Sequence, residues 1–228
     1  MNEKQIVGEK AVEYVKDGMV VGLGTGSTVF FTIKKLGELV KDGFTIKGIP
    51  TSVQTEKMAK EFGIPLTTLE KVDYIDVAID GADEVNPSLD LIKGGGGALL
   101  REKIIAGAAD KFIVIADSSK MVDKLGSFRV PLEVVRFGHT TTRDHIRKLG
   151  GTPEIRQIDG TLFITDNGNF IYDSAFPNII YPDKLEQSLN MIPGVIENGL
   201  FVRMASMVIT FDRNLGVVTK MRNQDLKT

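Results

Sequence analysis

The stretch Met19-Val20-Val21-Gly22-Leu23-Gly24-Thr25-Gly26-Ser27-Thr28 decides the fold of this chain. Its first half is a short apolar run rich in β-branched residues, the pattern of a strand buried on both faces. Gly24-Thr25-Gly26 stops the run, and Ser27 is placed to cap a following helix whose apolar face is marked by Val29, Ile33, Leu36 and Val40. Working outward, the same alternation recurs. Residues 3–17 set Ile6, Val7, Ala11, Tyr14 and Val15 at helical spacing, and Phe44–Ile49 reads as a strand. Residues 53–62 form a helix that Gly63 ends, with Pro65 beyond it. Ile75–Ile79 is a strand, 98–109 a helix, and Phe112–Ala116 a fourth buried strand.

Apolar strands alternating with helices predict an α/β fold, a Rossmann-like, mostly parallel sheet covered on both faces. Past about residue 127 the pattern changes. Val130–Val135 reads as a strand and His139–Leu149 as a helix ending at Gly150-Gly151. Thr161–Phe176 carries Asp166-Asn167-Gly168, a hairpin signal between two strands. Residues 182–191 are helical, and Gly194–Met204 forms strands around Asn198-Gly199. This order suits a smaller α+β domain of ferredoxin-like type, residues 128–203. Met207–Phe211 and Val217–Lys220 are strand-like again and can return to the first sheet, so the larger domain comprises residues 1–127 and 204–228.

Composition narrows the chemistry. The 228 residues carry 28 Lys plus Arg against 30 Asp plus Glu, a net charge of −2, without the basic excess that nucleic-acid binding requires. No apolar run approaches the ~18 residues of a membrane span. The start, Met1-Asn2-Glu3-Lys4, leads into an amphipathic pattern rather than a signal-peptide core, and a cytoplasmic location is expected. With no cysteine and only His139 and His145, thiol catalysis and Cys-bound zinc are excluded and His-rich sites have little material. The two histidines read as structural or solvated, and Met191, Met204 and Met207 as core filling.

Ligands of an open parallel sheet bind beyond the carboxyl ends of its strands. Here those ends read Gly24–Thr28, Thr51-Ser52, Asp80-Gly81-Ala82-Asp83-Glu84 and Asp117-Ser118-Ser119-Lys120, all expected along one edge. Polar loops alone would account for part of this, but not for phosphate-cradling and acid–base residue types side by side. Gly24–Thr28 lacks the third glycine of a dinucleotide fingerprint and the Gly-Lys-Ser/Thr of a Walker loop, so a small phosphate monoester fits best. Lys4 either reaches the same phosphate or is solvated.

The carboxylates of Asp80–Glu84 suit magnesium or proton transfer. Lys93 would compete with a metal for them, which favours proton transfer without a metal. Lys93-Gly94-Gly95-Gly96-Gly97 spends much chain entropy, which implies close approach of a ligand or another backbone. Glu102 has Ala98, Leu99, Ile105 and Ala106 as its helical neighbours and so lies on the apolar face. Desolvation raises a carboxylate pKa towards neutrality, as a general base needs; a buried ion pair with an arginine is the structural alternative.

Taken together, Gly24–Thr28, Thr51-Ser52-Val53-Gln54-Thr55, Asp80–Glu84, Lys93–Gly97 with Arg101-Glu102-Lys103, and Asp117–Lys120 resemble the A-type ribose-5-phosphate isomerase family. The likeness continues through Gly63–Leu66, Leu149-Gly150-Gly151, Thr165–Asn169 and Pro193-Gly194-Val195, to about Phe211. It implies an aldose–ketose isomerase interconverting D-ribose 5-phosphate and D-ribulose 5-phosphate in the non-oxidative pentose phosphate pathway, without metal or organic cofactor and as a homodimer. Carried over position by position, Glu102 is the base for an enediolate, with Asp80, Asp83 and Lys93 handling ring opening and the sugar oxygens. Lys4, Thr25, Gly26, Ser27, Thr28 and Lys120 hold the phosphate and sugar chain, and Gly81, Ala82, Gly94, Gly95 and Gly96 complete the substrate contacts. Ser206 stands where relatives often have an acid, and the tail 213–228 is individual. The competing readings are a non-catalytic sugar-phosphate sensor domain, which needs the phosphate loop but not Glu102 aligned with Asp80, Asp83 and Lys93 and would normally carry a helix-turn-helix segment, and a sugar-phosphate deaminase or lactonase, which would place a histidine beside its carboxylates.

Overall fold

The computed structural model describes residues 2–222. The first segment runs α1 (Glu3–Val12), β1 (Val20–Leu23), α2 (Val29–Lys41), β2 (Lys47–Pro50), α3 (Val53–Glu61), β3 (Ile75–Gly81), β4 (Glu84–Val85), β5 (Leu91–Ile92), α4 (Leu99–Ala108) and β6 (Ala109–Ala116). Next come β7 (Val130–Val134), α5 (His139–Lys148), β8 (Thr152–Ile155), β9 (Gln157–Ile158), β10 (Thr161–Leu162), β11 (Phe170–Ala175), α6 (Pro182–Asn190), β12 (Val195–Asn198) and β13 (Leu200–Phe201). The chain closes with β14 (Met207–Asp212) and β15 (Gly216–Met221).

The central sheet has the order β15-β14-β6-β3-β1-β2. All its pairings are parallel except that of the edge strand β15 with β14. Two apolar layers enclose it. On one face α1, α2 and α3 bury Val7, Ala11, Ile33, Leu36 and Ala59 against Val21, Leu23, Ile79 and Ile115. On the other, α4 buries Ile105 and Ala106 with Phe112, Val114 and Phe201. Gly22 is required here, because a Cβ on it would lie 2.5 Å from Ile105 Cγ2. Its absence lets α4, which carries Glu102, lie close on the sheet.

The segment β7-α5-β8-β11-α6-β12 forms a second, antiparallel sheet of order β12-β7-β11-β8, a ferredoxin-like α+β layout. Between the two sheets, β13 pairs with β5 and β5 with β4. The Lys93 N–H donates to the Gly199 carbonyl at 2.9 Å, and a Cβ on Gly199 would meet the Lys93 carbonyl oxygen at 2.3 Å. The two sheets are therefore joined at the lysine that the sequence singles out.

Most elements fall where the periodicity places them, and the exceptions have local causes. The first helix ends at Val12 rather than 17, and Tyr14 and Val15 sit in turns leading to Gly18 at φ +84°. The second strand starts at Lys47 rather than Phe44, because Phe44 still closes the end of α2 through Leu39. The last parallel strand of the first segment begins earlier, at Ala109. Asp166-Asn167-Gly168 does turn, with Gly168 N–H donating to the Thr165 carbonyl at 2.9 Å, but it does not join two paired strands. The hairpin lies upstream, where Asp159 (φ 50°) and Gly160 (φ 76°) link β9 to β10 in the left-handed geometry that tight hairpins prefer. Met207 is buried and Met204 partly so, but Met191 is 81% exposed beyond the end of α6 and fills no core. His139 shares a 2.8 Å hydrogen bond with the Tyr172 hydroxyl, a structural contact. Ser206 accepts from the Phe112 N–H at 3.1 Å, and the tail is strand to Met221, residues 223–228 lying outside the described residues.

Candidate active site

Parallel pairing sends the loops after β1, β2, β3 and β6 to the same edge of the central sheet. Gly24 brings the first of these against the third: a Cβ there would stand 2.2 Å from Asp80 Oδ1 and 2.6 Å from Asp80 Cα. The Thr25 N–H takes up that closeness by donating to Asp80 Oδ1 at 3.1 Å. The Thr25 hydroxyl turns inward, within 3.1 Å of the hydroxyls of Thr51, Ser52 and Thr55. What Thr25 offers the loop is therefore backbone position and a methyl group.

Ser27 does not cap α2. The N-cap is Thr28, in αR geometry and without a side-chain cap, while Ser27 Oγ accepts from Lys4 Nζ at 3.0 Å. The first turn of α2 is thus left without a side-chain acceptor, as a helix start that receives an anion must be. Glu3 ties the same end of α1 to the loop after β6 by accepting from Ser118 N–H (2.9 Å) and Oγ (2.7 Å), and these bonds hold its carboxyl below the usual range. Through this tie Lys4 and Lys120 line one cavity.

At the end of β3 stands a buried ionic cluster. Asp80, Lys93 and Glu102 are 3%, 2% and 4% exposed. Lys93 Nζ lies 3.1 Å from Asp80 Oδ2 and 3.3 Å from Glu102 Oε2, and it donates to the Gly81 carbonyl at 2.6 Å. The Glu102 Oε2 contact is within ion-pair reach but lies off hydrogen-bonding direction, so that oxygen has no hydrogen-bond partner among the described residues. The buried partner of Glu102 is this lysine rather than an arginine.

One ammonium cannot balance the carboxylates around it. Burial, then the neighbouring Asp80 charge, pushes the Glu102 carboxyl up to about 8. Asp80 is raised too, by burial, against the pull of Lys93. Burial alone would lower Lys93, but Asp80, Glu102 and Asp83 outweigh it and keep the ammonium protonated. The cluster is a fixed cation beside a carboxyl poised to exchange a proton near neutral pH.

The glycine run shapes the opposite wall. Gly94 (φ +106°) and Gly97 (φ +81°) hold conformations that disfavour side chains, and a Cβ on Gly97 would lie 2.4 Å from Phe163 Cζ. Gly95 donates its N–H to Asp83 Oδ2 at 2.8 Å, close enough that a Cβ would strike that carboxylate. Gly96 meets only Thr25 Cγ2 at an ordinary 3.5 Å.

These walls enclose a cavity of about 200 Å³. Lys4, Thr25, Gly26, Ser27 and Thr28 line one side, and Gly81, Ala82 and Asp83 another. Lys93, Gly94, Gly95, Gly96, Glu102 and Lys120 complete it. Every residue expected in the site lines this cavity except Asp80, which is buried and reaches it through its 3.1 Å ion pair with Lys93. A larger cavity of about 450 Å³ between α3 and α4 has no buried ionisable side chain and offers no comparable chemistry. The sequence places Thr51-Ser52 at the site edge without showing that they and Thr55 back the Thr25 hydroxyl, and it carries no local signal for Arg156, which reaches the glycine run from the smaller sheet.

An open parallel α/β sheet with a buried Lys–Asp–Glu cluster and an uncapped helix start on one small cavity defines the class: an acid–base enzyme for small anionic substrates. The family follows from comparison. The family model for ribose 5-phosphate isomerase A (phosphoriboisomerase A) matches residues 47–214, and the chain belongs to this family. It is 51% identical over 215 residues to ribose-5-phosphate isomerase A of Bacillus mycoides, covering 94% of this chain and 97% of that one. The solved structure of the Methanocaldococcus jannaschii isomerase superposes with a TM-score of 0.91 at 43% identity, covering 96% of this chain and 97% of that one. A D-ribose-5-phosphate isomerase solved in complex with phospho-erythronic acid gives 0.94 at 46% identity, covering 97% of this chain and the whole of the other.

Proposed function

We propose that the chain interconverts D-ribose 5-phosphate and D-ribulose 5-phosphate, with Glu102 as the base. The observation that carries this is the placement of a buried carboxyl, raised to about 8 and 3.3 Å from a fixed ammonium, in the same small cavity as Lys4 and the uncapped start of α2. The phosphate docks on Lys4, Ser27 and Thr28. Its binding energy holds the reacting carbons against Glu102, which is how a remote group contributes to turnover.

Asp83, partly exposed in the cavity, moves the proton between the anomeric hydroxyl and the ring oxygen that opens the furanose. Asp80 lies outside the cavity wall and positions Lys93. Glu102 then removes the C2 proton of the open aldose, and the electron pair forms the C1–C2 double bond and leaves charge on O1. Lys93 and the glycine-run amides stabilise that oxyanion. Returning the proton to C1, while the O2 proton passes to O1, yields the ketose with all atoms accounted for. Such a base contributes roughly 10²–10⁴-fold, the oxyanion donors supplying most of the rest.

No metal enters this scheme, because the Lys93 ammonium already stands between Asp80 and Glu102. We further read residues 1–127 with 204–228 as the catalytic domain and 128–203 as the smaller one, joined at Lys93 and Gly199. Exposed Phe137 and Met191 on the smaller domain support a homodimer. A phosphorylated pentose does not cross membranes freely, which supports a cytoplasmic location, and no helix among the described residues is long and apolar enough to span one. The test is conversion of ribose 5-phosphate by the purified chain with EDTA present, followed in deuterium oxide. Turnover with label entering at C1 or C2 is expected; loss of activity to EDTA, restored by magnesium, would overturn the scheme.

A further inference from the structure

The smaller sheet sends one side chain into the back of the glycine run. Arg156, between β8 and β9, is held by Asp173 on β11: Nε donates to Oδ2 at 2.8 Å and Nη2 donates to Oδ1. The guanidinium lies over the Phe163 ring, 5.7 Å from its centre, and Phe163 itself packs on Gly97. Its remaining nitrogen, Nη1, donates to the carbonyls of Gly94 (3.0 Å) and Gly95 (3.1 Å).

Those two carbonyls belong to the peptide groups whose N–H bonds are those of Gly95 and Gly96. In a trans peptide the C=O and N–H point in opposite directions. A cation gripping the carbonyls from behind therefore aims both N–H groups away from itself. The first lands on Asp83 Oδ2 at 2.8 Å. The second belongs to Gly96, which lines the cavity and whose N–H meets no acceptor among the described residues.

We propose that Arg156, anchored by Asp173, is a positioning residue that sets and polarises the Gly95 and Gly96 amides, so that the first orients Asp83 and the second receives the developing oxyanion. This rests on the isomerase reading above. The smaller domain thereby supplies part of the active site without touching the substrate. A chain with five glycine or alanine residues in succession after Lys93 has no rigidity of its own there, and the guanidinium supplies it.

The experiment compares Arg156→Ala, Arg156→Lys and Asp173→Asn with the wild-type full chain on ribose 5-phosphate, measuring kcat and KM separately. Circular dichroism measures the folded fraction. Losing preorganised oxyanion donors lowers kcat by roughly 10²-fold, while KM, set mainly by the phosphate, stays within about threefold. Free guanidinium at ~20 mM is expected to restore at least about tenfold of the kcat of Arg156→Ala and nothing in the wild type. Lysine keeps a positive charge beside Asp173 but lacks the planar fork, so Arg156→Lys loses kcat too, and it decides the matter should the alanine variant not fold. Normal kcat per folded molecule in the lysine variant, or a kcat loss in the folded alanine variant that guanidinium does not relieve, overturns the proposal. Wild-type turnover in the same assay tests the isomerase reading independently.

Discussion

Replacing Glu102 by glutamine should cost activity and increase stability, with the second effect growing as pH rises from about 4.5 to about 8. The carboxyl is 4% exposed, and burial with Asp80 nearby moves it from an ordinary 4.5 to about 8. An acid whose folded value exceeds its unfolded one binds more protons in the folded state, so stability falls as pH rises between those two values. Below the lower value both states hold the proton and there is no cost; above the upper value the full cost is present. At roughly 1.4 kcal/mol per pH unit the ceiling is about 5 kcal/mol. Glutamine has the shape of the protonated acid and never bears that cost. In a chain of this size ~2–4 °C accompanies each kcal/mol, so Glu102→Gln should melt several degrees above the wild type at about pH 9 and beside it at about pH 5. Thermal unfolding at both pH values, with kcat on the same samples, reads both halves. A kcat loss of roughly 10²–10⁴-fold is expected. A glutamine variant that melts at or below the wild type at about pH 9 would refute the claim that this carboxylate is desolvated.

The same displaced titration should appear in catalysis: kcat/KM for the wild type should climb with pH to a shoulder near 8, where Glu102 loses its proton, and a limb centred near 4.5 would dismiss Glu102 as the base. Lys4→Ala and Thr28→Ala should each raise KM with little change in melting temperature, since Thr28 makes no side-chain cap and Lys4 bonds only Ser27; an unchanged KM in both would put the phosphate elsewhere. Gly24→Ala, whose methyl would stand 2.6 Å from Asp80 Cα, should displace the Asp80–Lys93 pair and cost about 1–3 kcal/mol of stability along with activity, and a fully active variant would show that the approach of these loops is dispensable.

Much of this could be read from the chain because its cues are local. Val20–Leu23 followed by glycine, or Ile75–Gly81 followed by Ala82-Asp83, state both strand and loop within a few residues. Glu102 revealed its burial through its own helical neighbours, all four of which are buried. The failures have a shared cause in contacts distant along the chain. Ser27 looks like a helix cap until Lys4, on another helix, takes its oxygen. Thr25 presents a hydroxyl in the sequence, yet three partners from the next loop claim it. Arg156 is an ordinary polar residue in a stretch to which the sequence assigns no element, until Gly94 and Gly95 arrive from about sixty residues upstream.

The order of strands also constrains how the molecule is made. Ile113 and Ile115 on β6 are fully covered only because Met207–Thr210 lie alongside, and that partner is synthesised after the entire second sheet and its two helices. A ribosome-bound chain that has just released the ferredoxin-like layer already has all six helices, α1 to α6, in place, yet still displays an unpaired, hydrophobic sheet margin. Premature termination anywhere before β14 would leave that margin open for good, so truncated products of this protein should be sticky species rather than soluble fragments.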